Sequence, residues 1–189
     1  MLPQAWVNVA LALARRRGLS THPDGARIFN AAATAGVPVE ALCRGFDSVS
    51  ACLSKGLGAP AGSVLAGGSE LIARAKRARK ILGGGMRQAG VIAAAGLYAL
   101  EHNLARLAED HANALQLAKR LAQSGFEVEP VQTNMVFVRI AVDRCVPLAA
   151  HLEARGVKIL AGPRTRLCTH LDVDTAGIEQ AAAAFASFR

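Results

Sequence analysis

Lys55, Asp24, Arg87 and Arg166 have the types and settings that a carbonyl cofactor carrying a phosphate and a pyridine ring would require. Lys55 opens the loop SKGLGAP, directly after a segment that alternates apolar and small polar residues. Gly56 and Gly58 there permit unusual backbone angles and close approach of a ligand. A lysine in that setting forms a Schiff base once its surroundings supply free amine. Asp24 lies in HPDGARIFNA, at a strand-to-turn junction of the kind where the active groups of open α/β sheets collect. A carboxylate facing a pyridine nitrogen keeps it protonated, and the protonated ring accepts electrons released when a bond to a substrate α-carbon breaks. Arg87, in LGGGMRQAG, follows three glycines near the start of a helix, a setting suited to a phosphate. Arg166, in TRLCTHLDV, alternates along a strand and could hold a carboxylate in its planar fork. Taken singly, each has a plainer reading: a surface lysine, an Asp-Gly turn or cap, and two surface salt bridges.

The elements that must place these residues follow from periodicity. A helix runs to about Arg17, with Trp6, Val7, Ala10, Leu11, Leu13 and Ala14 as its apolar face and Gly18 as its C-cap. An extended segment and turn surround His22 to Gly25, and a helix covers Ala26 to Ala35 until Gly36 and Pro38 stop it. Asp47 to Ser54 reads as a strand with Val49, Ala51 and Leu53 inward, Lys55 to Gly62 as a loop, and Ser63 to Ala66 as a short strand. Glu70 to Leu82 is a basic helix ending at Gly83-Gly84-Gly85. One long helix is expected from about Ala89 to Gln123, with Leu100, Leu104, Leu107, Leu115 and Leu121 on one face, carrying the chain into a second unit. There, strands near Phe126 to Glu129, Met135 to Ile140, Lys158 to Leu160 and Thr165 to Thr169 alternate with helices near Pro147 to Arg155 and Thr175 to Phe188. The expectation is an α/β fold with a large domain over residues 1–106 and a small C-terminal α/β domain over 107–189.

Composition narrows the function classes. Apolar residues make up 52% of the 189, enough for a core, while aromatics are only 4%, so Ala, Leu, Val and Ile must build it. The net charge of +8 would suit a polyanion, but the basic clusters Arg15-Arg16-Arg17 and Arg74 to Lys80 lack interleaved aromatics, so nucleic acid is not expected as a partner. Cys43, Cys52, Cys145 and Cys168 form no C-x-x-C pair and read as reduced thiols without a metal. No apolar run approaches the roughly 18 residues of a membrane span. A cytoplasmic protein is expected, although the acid-free stretch from Met1 to Ser20, with its arginines, also fits a mitochondrial presequence.

Together and in this order, HPDGARIFNAA, SVSACLSKGLGAPAGS, RARKILGGGMRQAGVIAAAGLYAL and RLCTHLDV resemble threonine aldolases of the aromatic amino acid β-eliminating lyase/threonine aldolase family. The resemblance covers essentially the whole chain. It implies a fold-type I transferase-like architecture dependent on pyridoxal 5'-phosphate (PLP), and retro-aldol cleavage of L-threonine or L-allo-threonine to glycine and acetaldehyde. By it, Lys55 would hold PLP as an imine, Asp24 would pair with the pyridine nitrogen, and Arg27 of the DGAR motif would shape the cofactor pocket. Arg87 would lie by the phosphate, while Arg166 and, at the site's mouth, Lys80 would meet a β-hydroxy amino acid. Homo-oligomers are expected of full-length members.

Two departures accompany the resemblance. The family's upstream half, with its phosphate-cupping loop and ring-stacking histidine, has no counterpart before Met1, so the chain reads as a truncated C-terminal half, with the large domain partial and the chain inactive by itself. The alternative is a non-catalytic relative that associates with a full-length subunit. Pro23 stands where the family usually has an aliphatic residue, and it removes a backbone donor beside Asp24.

Overall fold

The computed structural model describes residues 2–188, which divide into two compact units, one ending at Ala105 and the other beginning at Arg106. In the first unit, α1 (Gln4–Arg16) starts after Pro3, whose missing N–H costs nothing at a helix entrance, and ends with Arg15 and Arg16 near its C-terminal carbonyls. Of its expected apolar face only Leu11 is buried, and Trp6 is 72% exposed. Helix α2 (Ile28–Ala35) stops at Gly36 in the left-handed conformation, and α3 (Val39–Cys43) opens directly after Pro38. The sequence reading took Pro38 only as a stop; the same fixed φ that ends one helix also starts the next.

These two short helices carry the chain from β1 (Asp24–Gly25) to its parallel neighbour β2 (Ser48–Cys52), and β3 (Ser63–Gly67) pairs antiparallel on β2's other side. Ile28, Val49 and Ala51 form a small core that Phe29, Val39, Leu42 and Phe46 flank. Every residue of β3 is exposed, and no residue of the basic helix α4 (Ser69–Ile81) is buried.

The single long helix expected after the glycines is two: α5 (Gly90–His102) and α6 (Leu107–Gln123). The apolar pattern runs through the break without a gap. What interrupts it is Asn103, whose side chain leaves the helix to donate 2.7 Å to the Leu57 carbonyl. Of the leucines expected on one face, Leu107 and Leu121 are buried, but Leu115 is 57% exposed. At about 100° per residue Leu115 falls well off the stripe set by Leu107, Ala114, Leu117 and Leu121.

In the second unit, α6, α7 (Val142–Glu153) and α8 (Thr175–Ala186) share one core with β4 (Glu127–Val128), β5 (Met135–Arg139) and β6 (Arg164–Cys168), an antiparallel sheet in the order β4-β5-β6. Val136 and Val138 point inward onto Leu117, Leu121, Leu148, Leu152, Ile178 and Phe185. Burying each such side chain contributes about 2 kcal/mol. Helix α7 begins ahead of Pro147, which was expected near its start. Pro147 sits within the helix at an exposed position, where solvent can reach the carbonyl left without its N–H. Lys158 to Leu160 is not a strand: Val157, Ile159 and Ala161 pack on the core, but the segment joins no sheet, and Leu160 is 94% exposed. Helix α8 is capped by Asp174, whose carboxylate accepts from the Gly177 N–H at 2.8 Å.

A buried polar cluster ties α6 to the end of β6. Asp110 is fully buried and takes two hydrogen bonds from the Arg106 guanidinium, at 2.9 and 3.3 Å. The Thr169 hydroxyl donates 2.6 Å to the Asp110 carbonyl, and the Asn134 amide donates 2.8 Å to the Thr169 carbonyl.

Removing one partner of a buried ion pair leaves the other uncompensated, so Asp110→Ala is expected to destabilise the second unit by about 3 kcal/mol. Urea unfolding followed by circular dichroism measures this, and a loss well under 1 kcal/mol would contradict it. Limited proteolysis is expected to leave a resistant fragment starting near Leu107, because the second unit encloses its own core; uniform digestion of the chain would refute independent folding of that segment.

Candidate active site

Asp24 and Lys55 are brought to the same end of one parallel strand pair. Asp24 lies opposite Ser50 and Gly25 opposite Ala51, so both strands run toward the end at which the Lys55 loop leaves β2. That is the edge where ligands bind in open α/β sheets. Gly25 makes the approach possible, since a Cβ there would stand 2.3 Å from the Ser50 carbonyl oxygen. Any other residue would push β1 off β2.

The Lys55 loop is held from several directions. The Gly58 N–H donates to the Lys55 carbonyl at 2.9 Å, with Gly58 at φ +71°, and the Ala59 N–H donates to the Leu53 carbonyl at 3.0 Å. The Leu53 N–H donates to Gly62, and Asn103 grips the Leu57 carbonyl. Leu53, Leu57 and Ala59 are buried, and α5 lies so close that a Cβ on Gly96 would come within 3.0 Å of a Leu53 methyl. On this fixed base the Lys55 side chain is exposed and makes no hydrogen bond or ion pair among the described residues. The backbone is pinned while the amine is free.

Asp24 is oriented by its own turn, with Oδ1 accepting the Ala26 N–H at 3.0 Å. The turn reading of Asp24 is therefore correct for one oxygen. Upstream, the Asp47 carboxylate accepts both the N–H and the hydroxyl of Thr21, at 2.7 and 2.8 Å, and His22 Nδ1 meets the Ser48 hydroxyl at 2.8 Å. The Thr21 donors, with the Arg15 charge assisting, hold the Asp47 carboxyl below the usual carboxylate range. Arg27 is half-buried at the entrance of α2.

Lys80 and Arg87 flank the connection between α4 and α5. Lys80 Nζ donates to the Gly85 carbonyl at 3.4 Å, and its stem lies across Gly85, where a Cβ would be 2.3 Å from Lys80 Cδ. Its ammonium is thus turned onto its own loop. Arg87 is exposed and unpaired among the described residues, and the next residue, Gln88, has φ +52°, a conformation that residues other than glycine rarely adopt.

Arg166 belongs to the second unit, opposite Phe137 in the β5–β6 register. The surface salt bridge considered for it falls instead to Arg164. Arg164 lies 3.9 Å over the Phe137 ring and makes two hydrogen bonds to Glu129, at 2.7 and 2.8 Å, and these bonds, with the Arg164 and Arg139 charges, hold the Glu129 carboxyl below its usual range. Arg166, exposed on the same strand, has no such partner among the described residues. His170 engages Asp172, at 3.3 Å to its N–H.

The contributions of Thr21, Asp47 and Asn103 escaped the sequence reading. Each acts across 26 or more residues, and no local pattern announces such pairs.

Comparison with known proteins identifies the family of the chain. The family model described as Beta-eliminating lyase matches residues 1–143. The low specificity L-threonine aldolase of Escherichia coli strain K12 is 46% identical over 188 residues, which is 100% of this chain and 56% of that protein. The low-specificity L-threonine aldolase 1 of Arabidopsis thaliana is 43% identical, over 92% of this chain and 51% of its own length. The chain thus spans about half the length of the curated relatives it matches. Among solved structures, that of a putative L-allo-threonine aldolase from Listeria monocytogenes superposes with a TM-score of 0.82 at 22% identity, covering 98% of this chain and 57% of that one. With the match extending over most of its sequence and the fold shared with fold-type I PLP-dependent enzymes, the chain belongs to the beta-eliminating lyase family.

Proposed function

We propose that this chain supplies the lysine, the ring-facing carboxylate and the carboxylate-binding arginine of a PLP-dependent threonine aldolase that cleaves β-hydroxy amino acids such as threonine to glycine and an aldehyde. The observation that carries this reading is the free Lys55 amine on a pinned loop at the strand end it shares with Asp24. The names of the relatives support the substrate class.

In this reading PLP, when bound, supplies the carbonyl that captures an amino group and the ring that takes up the electrons of the broken Cα–Cβ bond. The chain's own residues set up that chemistry. Lys55 would hold the cofactor through its side-chain amine. Asp24 keeps a proton on the ring nitrogen through the oxygen that Ala26 does not occupy. Arg87 offers charge to the phosphate, and Arg27, at the entrance of α2, borders the pocket. Arg166, free of the pairing that occupies Arg164, receives the substrate carboxylate. Lys80, whose ammonium rests on the Gly85 carbonyl of the loop that carries Arg87, would lie at the site's mouth toward the substrate.

The 189 residues by themselves leave this site open to water. Lys55 and Asp24 are exposed, β3 and α4 bury nothing, and His22 and His102 are engaged with Ser48 and Tyr98 rather than poised at a substrate hydroxyl. Cleavage needs both a base at that hydroxyl and exclusion of solvent. Full activity is therefore assigned to an assembly larger than these residues.

Borohydride reduction in the presence of PLP, in the assembly that binds it, is expected to label Lys55 on peptide mapping. Label chiefly on Lys76, Lys80 or Lys119 would reject the assignment. The 189-residue chain assayed alone is expected to release no acetaldehyde from threonine or allo-threonine above a Lys55→Ala control; turnover beyond that control would show that these residues suffice.

A further inference from the structure

The pairing of β1 with β2 has a gap whose position is fixed by the register. The Ser48 N–H donates to the Thr21 carbonyl at 3.3 Å and the Ser50 N–H to the Pro23 carbonyl at 3.4 Å, alternate rungs of a parallel ladder. In such a ladder the N–H of residue 23 would return a bond to the Ser48 carbonyl. Proline has no N–H, so that rung is missing immediately before Asp24. Regular pairing survives only over Asp24 and Gly25.

Thr21 and Asp47 fill the gap from one side. Both donors of Thr21 reach the same Asp47 oxygen, at 2.7 and 2.8 Å, and the Asp47 N–H returns to the Thr21 carbonyl at 3.1 Å and to its hydroxyl at 3.3 Å. This is a closed side-chain and backbone clasp between the two strands. The His22–Ser48 contact, at 2.8 Å, lies directly beside it.

We infer that Thr21 and Asp47 are positioning residues for Asp24: their clasp replaces the ladder bond that Pro23 cannot make, and so fixes where the Asp24 carboxylate stands at the end of the sheet. The functional meaning of that placement rests on the proposed role of Asp24, whereas the clasp itself does not require a cofactor. The clasp and proline are a matched pair. Either a donor at position 23 or the Thr21–Asp47 bonds suffice to hold the strand, and removing both releases it.

Two readings on the cofactor-free chain report the carboxylate's position without reference to activity. The pH response of the Ala26 amide resonance follows ionisation of Asp24 across their hydrogen bond, and hydrogen exchange at Ser50 follows the Ser50–Pro23 rung. Asp47→Ala is expected to speed Ser50 exchange about fivefold or more, as loss of a charge-assisted bond does, and to shrink the Ala26 response. Asp47→Asn, which keeps an acceptor, and Thr21→Ser, which keeps the hydroxyl, are expected to stay within about twofold of the parent. Pro23→Leu, which restores the N–H, is expected to return both readings toward the parent in the Asp47→Ala background. Thr21→Val serves in place of Asp47→Ala where the latter does not fold. Unchanged Ser50 and Ala26 readings in both clasp variants, or a Pro23→Leu double variant no better than Asp47→Ala alone, would overturn the inference. Failure of PLP to label Lys55 would count against the proposed function and leave these readings untouched.

Discussion

The candidate site depends on how closely β1 can lie against β2. That distance is set by the bare Cα of Gly25 against the Ser50 carbonyl, where a side chain would overlap. From this contact follow the register of Asp24, the shared direction of the two strands, and the common edge at which Asp24 and the Lys55 loop emerge. The pairing covers few residues, and so its accuracy is borrowed from its neighbours: the small core of Ile28, Val49 and Ala51 beneath it, and the polar stitching ahead of it. Short parallel pairs have little ladder energy of their own, and the side chains around them decide whether they hold.

The two units solve their stability in different ways. The second encloses a dense aliphatic core and places a buried polar cluster where helix and sheet ends meet, at Asp110, Asn134 and Thr169. The first has a small core and leaves β3, α4 and much of α1 and α5 in solvent, including Trp6, Val91 and Tyr98. Its chemistry-bearing residues sit on locally braced turns rather than on a deep core. The Lys55 loop shows how that is done: four backbone carbonyls are occupied, three apolar residues are buried, and the one long polar side chain is left unengaged.

Much of this was legible in the sequence because local rules were sufficient. The alternation of Val49 and Ala51 gave β2, the glycines after Lys55 gave a loop, and the period of α4 and α8 matched their helices closely. The motif resemblance identified the family with which the comparisons agree. Local rules failed wherever a distant partner decided. Asn103 looked like a helical residue until its bond to Leu57 was seen, and the extended segment before β6 had a strand's alternation but no sheet to join. Arg164 and Arg166 are indistinguishable by spacing along β6, and only the placement of Glu129 separates the engaged arginine from the free one. The exposure of α1 was likewise invisible, since periodicity shows which residues share a face and says nothing of what covers it.

The difference in chain separation between the two pairings of β2 has a consequence for how the site is assembled. Cys52 and Ser63, which close the antiparallel pair around the Lys55 loop, are 11 residues apart, whereas the strands that seat Asp24 are joined only across 26 residues and two helices. Hairpins of the first kind close in about 1–10 μs, while nonlocal parallel pairing must wait until the intervening crossover has condensed. The lysine's loop is thus expected to form early in folding and the carboxylate's seat late. Substitutions in α2 or α3 that slow their docking would delay the arrival of Asp24 without disturbing Lys55, so that the two groups proposed to serve one site are exposed to sequence change in different parts of the chain.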